Sequence, residues 1–118
     1  MKKKRIIIIE DDLNILEAMR MVLEDEGYDV VGLSSGKNLK IDGSMPDLML
    51  LDIFLPEVSG EEIALKLKSE AKTKKLPIIL ISGNNNLREI AKRTKADGYL
   101  EKPFELADVV RLVEKYLQ

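Results

Sequence analysis

The sequence predicts an α/β domain, a parallel sheet layered between helices on its two faces. Three observations lead there. Short apolar runs alternate with longer amphipathic segments along the whole chain. Three of those runs are apolar without interruption, as a strand must be when neither of its faces meets water. The most hydrophobic run, the four isoleucines, leads directly into three consecutive acids.

The strands are expected at "RIIIIE" (5–10), "DVVGL" (29–33), "LMLLDI" (48–53), "PIILIS" (77–82) and "GYLEK" (98–102). The first, third and fourth are the continuously apolar ones, as strands covered on both faces are. Helices are expected between them. Residues 13–26 set Leu16, Met19 and Leu23 on one stripe, and Gly27 stops the segment. Residues 60–71 carry Ile63, Leu67 and Ala71, and residues 86–95 carry Leu87, Ile90, Ala91 and Thr94. Residues 105–117 carry Leu106, Val109, Val110, Val113 and Leu117. Each stripe keeps roughly the 3.6-residue period of an amphipathic helix. The stretch 34–47, "SSGKNLKIDGSMPD", is weaker, with Gly, Ser and Pro and room for at most about two turns. Right-handed crossovers would send the helices to both faces, giving a doubly wound, three-layer sandwich.

A length of 118 residues suits one domain, expected over 1–118, with no repeat or linker inside it. The 19 basic and 21 acidic residues give a net charge of −2, which argues against nucleic acid as a direct partner. The basic start "MKKKR" reads as a solvated terminus and not as a signal peptide, since only four apolar residues follow before the acids. No stretch is long enough to span a membrane, so a cytoplasmic protein is expected. There is no Cys and no His. Disulfides, zinc–thiolate sites, cysteine nucleophiles and the commonest general base are thereby excluded. A metal here must be held by oxygen, which favours Mg²⁺, with Mn²⁺ possible.

In an open parallel sheet, ligands sit beyond the carboxyl ends of the strands. Strand one ends in Glu10, Asp11 and Asp12; strand three in Asp52; strand four in Ser82 and Gly83; strand five leads to Lys102 and Pro103. Asp52 stands out, because Leu50, Leu51, Ile53 and Phe54 surround it in the sequence and a buried carboxylate is costly unless paired or metal-bound. Asp12 has a competing role as the cap of the helix that starts at Leu13. Crowded carboxylates raise one another's pKa, and a divalent cation relieves that repulsion. Lys102 could hold an anion, Ser82 offers a hydroxyl, and Gly83 leaves room beside it. A carboxylate nucleophile that accepts a phosphoryl group fits this set.

The segments "IIIIEDD", "DLMLLDIFLPEVSG", "PIILISG" and "ADGYLEKPF", in this order and spacing, resemble a response-regulator receiver domain of two-component signalling. The resemblance covers essentially the whole chain. It implies a flavodoxin-like (βα)5 fold with strand order 2-1-3-4-5, the order cited for this fold type. It implies that Asp52 is the phosphoacceptor, and that Glu10, Asp11, Asp52 and the backbone carbonyl of Phe54 hold Mg²⁺. Ser82 and Lys102 would then meet the phosphoryl group, and Ser82 and Tyr99 would form the switch. It also implies a cis Lys102–Pro103 bond, against a base rate of about 5–6%.

The implied donor is a histidine kinase or phosphotransfer protein. With the sequence ending at Gln118, the output partner is expected to act in trans. The alternative is a pseudo-receiver, an interaction module without phosphoryl turnover. An aspartyl phosphatase is disfavoured, because Phe54 stands where such enzymes place a second Asp. Two departures from the family pattern are a shortened 34–47 region and a short, Asn-rich start to the helix after Ser82. Met21 should lie off the core stripe of the first helix, on the side where receivers dock their kinase.

Overall fold

The computed structural model describes residues 3–37, 39–41 and 45–117. Its strands are β1 (Arg5–Ile9), β2 (Asp29–Leu33), β3 (Leu48–Asp52), β4 (Ile78–Ser82) and β5 (Gly98–Glu101). Its helices are α1 (Leu13–Asp25), α2 (Gly60–Ser69), α3 (Leu87–Thr94) and α4 (Leu106–Leu117). All strand pairs are parallel and the order is β2-β1-β3-β4-β5. Every strand therefore points its carboxyl end to the same edge.

Two apolar layers sandwich the sheet. On one face Ile9, Met49, Leu51, Ile78 and Leu80 pack against Ile63 and Leu67 of α2 and Leu87 and Ile90 of α3. On the other, Ile6, Ile8, Leu50, Ile79 and Ile81 pack against Leu16, Met19 and Leu23 of α1 and Val109 and Val113 of α4. β3 and β4 are buried at every residue, as their uninterrupted apolar sequence requires. Each such Leu or Ile contributes about 1.5–3 kcal/mol by leaving water.

The helix ends follow from local chemistry. Asp12 caps α1, its carboxylate accepting from the Asn14 and Ile15 amides. At the other end Gly27 takes φ 98°, which lets its own amide reach Glu24 O and the Tyr28 amide reach Leu23 O. Ser59 caps α2 through the Glu62 amide. α3 has no side-chain cap from Asn86; Asn84 Oδ1 accepts the Asn86 amide instead, at 2.7 Å.

The structure departs from expectation in three places. The second strand–helix unit has no helix among the described residues, so four helices stand where the (βα)5 pattern has five. Leu39 and Ile41, partly buried, pack against the apolar layer there. Ala71 lies beyond α2, which ends at Ser69, and is exposed; Thr73 takes the buried position, its hydroxyl donating to Leu67 O. Leu106, at the first turn of α4, is 40% exposed.

Candidate functional site

The parallel register carries the polar residues to one edge. Asp52 stands opposite Ile81, one residue before Ser82, and Ser82 stands opposite Glu101, one residue before Lys102. The Lys102 amide donates to Ser82 O at 2.9 Å, and the Glu10 amide donates to Leu33 O at the same distance. Glu10, Asp52 and Ser82 are buried at 1%, 2% and 0% exposure, whereas Asp11 faces solvent.

Lys102 is the hub. Its ammonium lies 3.1 Å from Asp52 Oδ2 and 2.9 Å from Glu10 Oε1. The approach to Asp52 is a hydrogen bond. The approach to Glu10 is an ion pair at an angle that makes none, so Glu10 Oε1 stays buried without a hydrogen-bond donor. The other oxygens are engaged by backbone: Glu10 Oε2 accepts from the Asp12 amide and Asp52 Oδ1 from the Phe54 amide. Burial, reinforced by the neighbouring Asp52, pushes Glu10 up to about 7. Burial alone would pull the Lys102 ammonium down, but Glu10 and Asp52 together outweigh it and hold the group above its ordinary value. One ammonium serves two buried carboxylates, so the site carries excess negative charge.

That excess suits a cation. Glu10, Asp11 and Asp52 can each offer an oxygen within 4.8 Å of the others. The donor set is all oxygen, and the undonated Glu10 Oε1 is the kind of atom a hard cation would satisfy. Asp12, by contrast, spends its carboxylate on the α1 cap. Ser82 Oγ accepts from the Asn84 amide at 3.1 Å, which leaves its own proton free to donate. Tyr99 lies away from this cluster. It is 38% exposed and lines a hollow on the α4 side with Leu100, Arg111 and Leu112. The Phe54 side chain is 61% exposed. The Lys102–Pro103 bond is cis. Beside it, Ile15, Ala18, Phe104 and Leu106 line an apolar hollow of about 390 Å³.

Sequence reasoning missed two contributors. It gave Lys102 an anion to hold but not Glu10 as a resting partner. It also gave no role to Gly60, whose amide donates to Ile53 O at 2.8 Å directly behind Asp52. The signal for Gly60 was present: a Gly opening a helix, just after a capping Ser, marks a close backbone approach.

This fold, with a lysine-bridged acidic cluster at its carboxyl edge, defines a class of α/β signalling domain. The chain belongs to the response regulator receiver domain family, whose profile matches residues 6–114. Receiver domains are phosphorylation-based signalling switches of two-component systems, and they bind Mg²⁺ in an acidic pocket. Among curated relatives, the phosphate regulon transcriptional regulatory protein PhoB of Rhizobium meliloti (strain 1021) is 32% identical over 118 residues, covering 97% of this chain and 52% of that protein. The alkaline phosphatase synthesis transcriptional regulatory protein PhoP of Bacillus subtilis (strain 168) is 29% identical, covering 98% and 49%. The chain thus spans about half the length of the curated relatives it matches. Among solved structures, a CheY-like response regulator receiver domain protein from Methanospirillum hungatei JF-1 superposes with a TM-score of 0.87 at 28% identity, covering 97% and 93%. The chemotaxis response regulator CheY4 of Vibrio cholerae shares the fold, with a TM-score of 0.90 at 21% identity over 98% and 100%. No described helix is long and apolar enough to cross a membrane.

Proposed function

We propose that residues 1–118 form a single receiver domain that accepts a phosphoryl group on Asp52 from a phosphohistidine of a histidine kinase or phosphotransfer protein. The observation that carries this reading is the shared ammonium: Lys102 lies within 3.1 Å of Asp52 and 2.9 Å of Glu10 at the sheet's carboxyl edge. Glu10, Asp11, Asp52 and the Phe54 carbonyl would hold Mg²⁺, or Mn²⁺ in its place. When bound, the ion supplies positive charge that offsets the carboxylates and the incoming phosphoryl oxygens.

The rest falls to the chain's own residues. A carboxylate oxygen of Asp52 attacks phosphorus as the P–N bond breaks, leaving its electron pair on the imidazole, which takes a proton from solvent. The product is an acyl phosphate. Lys102 turns from the carboxylates to a phosphoryl oxygen, and catalysis is chiefly positioning and charge neutralisation. The Ser82 hydroxyl donates to another phosphoryl oxygen, and Tyr99 moves into the space that Ser82 gives up. Attack of water on phosphorus reverses the state, cleaving the P–O bond and releasing inorganic phosphate. The surface formed by α3, β5 and α4 would carry the change to an output protein in trans. A cytoplasmic setting fits this role, with neither nucleic acid nor membrane as a direct partner.

Incubation with a small acyl-phosphate donor and MgCl₂ should give one phosphoryl adduct by intact-mass spectrometry. It should be labile to hydroxylamine and lost in Asp52→Asn. A folded parent that forms no adduct would leave a pseudo-receiver, an interaction module without turnover.

A further inference from the structure

The edge of the sheet opposite the acidic site is electrically divided, and the division is at odds with helix electrostatics. All four helices end at this pole. The last turns of α2, α3 and α4 carry Lys66 and Lys68, Lys92 and Arg93, and Lys115. Cations there complement the negative end of a helix. α1 does the opposite. It has no basic residue in its last turn and closes on Glu24, Asp25 and Glu26. Glu24 is paired with Arg20, but Asp25 and Glu26 are exposed and show no ion pair among the described residues. Glu26 also faces Tyr28, whose phenol is raised by burial and then by Glu114 of α4 and Glu26.

Across the sheet, on the α2–α3 face of the same pole, lies the reverse. Lys68 Nζ donates to Lys74 O, Leu76 O and Asp97 Oδ2, which draws the 70–77 loop against the 95–97 turn. This gathers Lys72, Lys74, Lys75 and Lys95, all exposed and without an ion pair among the described residues. Asp97 is already spent on Lys68 and on the Ile78 amide, which leaves Glu70, exposed at the start of the loop, as a single acid against these four lysines.

We propose that a second copy of this chain docks on this pole, the lysine patch of each copy facing the acidic end of α1 in the other. A partner that was uniformly anionic would meet Asp25 and Glu26 as well as the lysines. A second copy carries both signs. A two-fold axis in the plane of the pole, perpendicular to the line joining the patches, satisfies both contacts at once and closes the assembly. It leaves both acidic sites facing outward. The contact rests on charge, so it is transient and screened by salt.

Sedimentation at high protein concentration tests this. The weight-average mass should rise toward a dimer at about 20 mM salt and return to the monomer near about 500 mM, where the screening length is much shorter. The triple variant K72E/K74E/K75E and the double variant D25K/E26K should each stay monomeric at low salt. An equimolar mixture of the two should associate again, since both contacts then pair opposite charges. D25K/E26K should also melt higher than the parent, as a basic helix end predicts. A parent that is monomeric at every salt, variants that still associate, or a mixture that does not recover would each overturn the proposal.

Discussion

A Cβ on Gly60 would stand 2.1 Å from the carbonyl oxygen of Asp52 and 2.7 Å from Cα of Ile53. Only a residue without a side chain lets α2 begin against the backbone that presents the proposed acceptor. Gly60→Ala is expected to cost on the order of 1–3 kcal/mol, as overpacking does. It should also slow Asp52 labelling in the fraction that remains folded. A urea melt and an acyl-phosphate time course check the two effects; an unchanged midpoint would contradict the first.

Magnesium is expected to stabilise the folded chain, because folding gathers Glu10, Asp11 and Asp52 and unfolding scatters them. A ligand that binds only the native state adds about 2.7 kcal/mol at a hundred times its Kd. Asp11→Asn and Asp52→Asn should lose most of that gain. Without metal, Asp52→Asn should melt no lower than the parent, since Lys102 then faces one buried carboxylate in place of two. Thermal melts with and without MgCl₂ decide both points.

Two helix ends take the left-handed conformation with different residues. Gly27 has φ 98° after α1, and Lys95 has φ 64° after α3. Gly27→Ala should destabilise by about 1 kcal/mol and Lys95→Gly should stabilise by up to about 1 kcal/mol, because only the side-chain-bearing residue meets the steric penalty there. Denaturant midpoints of the two variants should therefore move in opposite directions.

Arg93 grips Glu61 through two bonds, Nε to Oε2 at 2.9 Å and Nη2 to Oε1 at 3.1 Å, tying α3 to α2. The guanidinium holds the Glu61 carboxyl below its ordinary 4.5, against a smaller push from burial. A lowered carboxyl stabilises the fold above its unfolded value and loses that contribution as pH falls through the folded one. Glu61→Gln should thus be slightly less stable than the parent at neutral pH and equal to it in strong acid. Solvent screens the pair, so the neutral-pH difference should shrink with added salt.

Met21 is 62% exposed on α1, off the core stripe. Met21→Glu should leave the melting temperature essentially unchanged and slow phosphotransfer from a kinase, without affecting labelling by a small donor. Equal kinase rates for parent and variant would remove Met21 from the docking surface.

The elements that could be read in the sequence are those whose signal is local. Uninterrupted Ile and Leu runs located β1, β3 and β4, and the Asp12 cap and Gly27 stop bounded α1. What escaped depends on residues far apart in the chain. The Lys102 ammonium meets Glu10 only because β1 and β5 flank β3 and β4 in the folded sheet. Asp97 reads as a surface acid until Lys68, 29 residues away, closes on it. Stretch 34–47 carried no clear period, and its described residues form no helix. Residues 38 and 42–44, within that stretch, fall outside the described residues.

The Lys68 contacts have a mechanical consequence. At one end of β4 and β5, a single ammonium and the Asp97 carboxylate gather the segments that lead into the two strands through four hydrogen bonds. At the other end the Lys102 amide donates to Ser82 O, and among the described residues no comparable side-chain clamp spans the two strands. The pair is a cantilever, clamped at its base and lightly tied at its tip. Work done at the tip bends it there, and the clamp keeps the load from sliding the strands out of register.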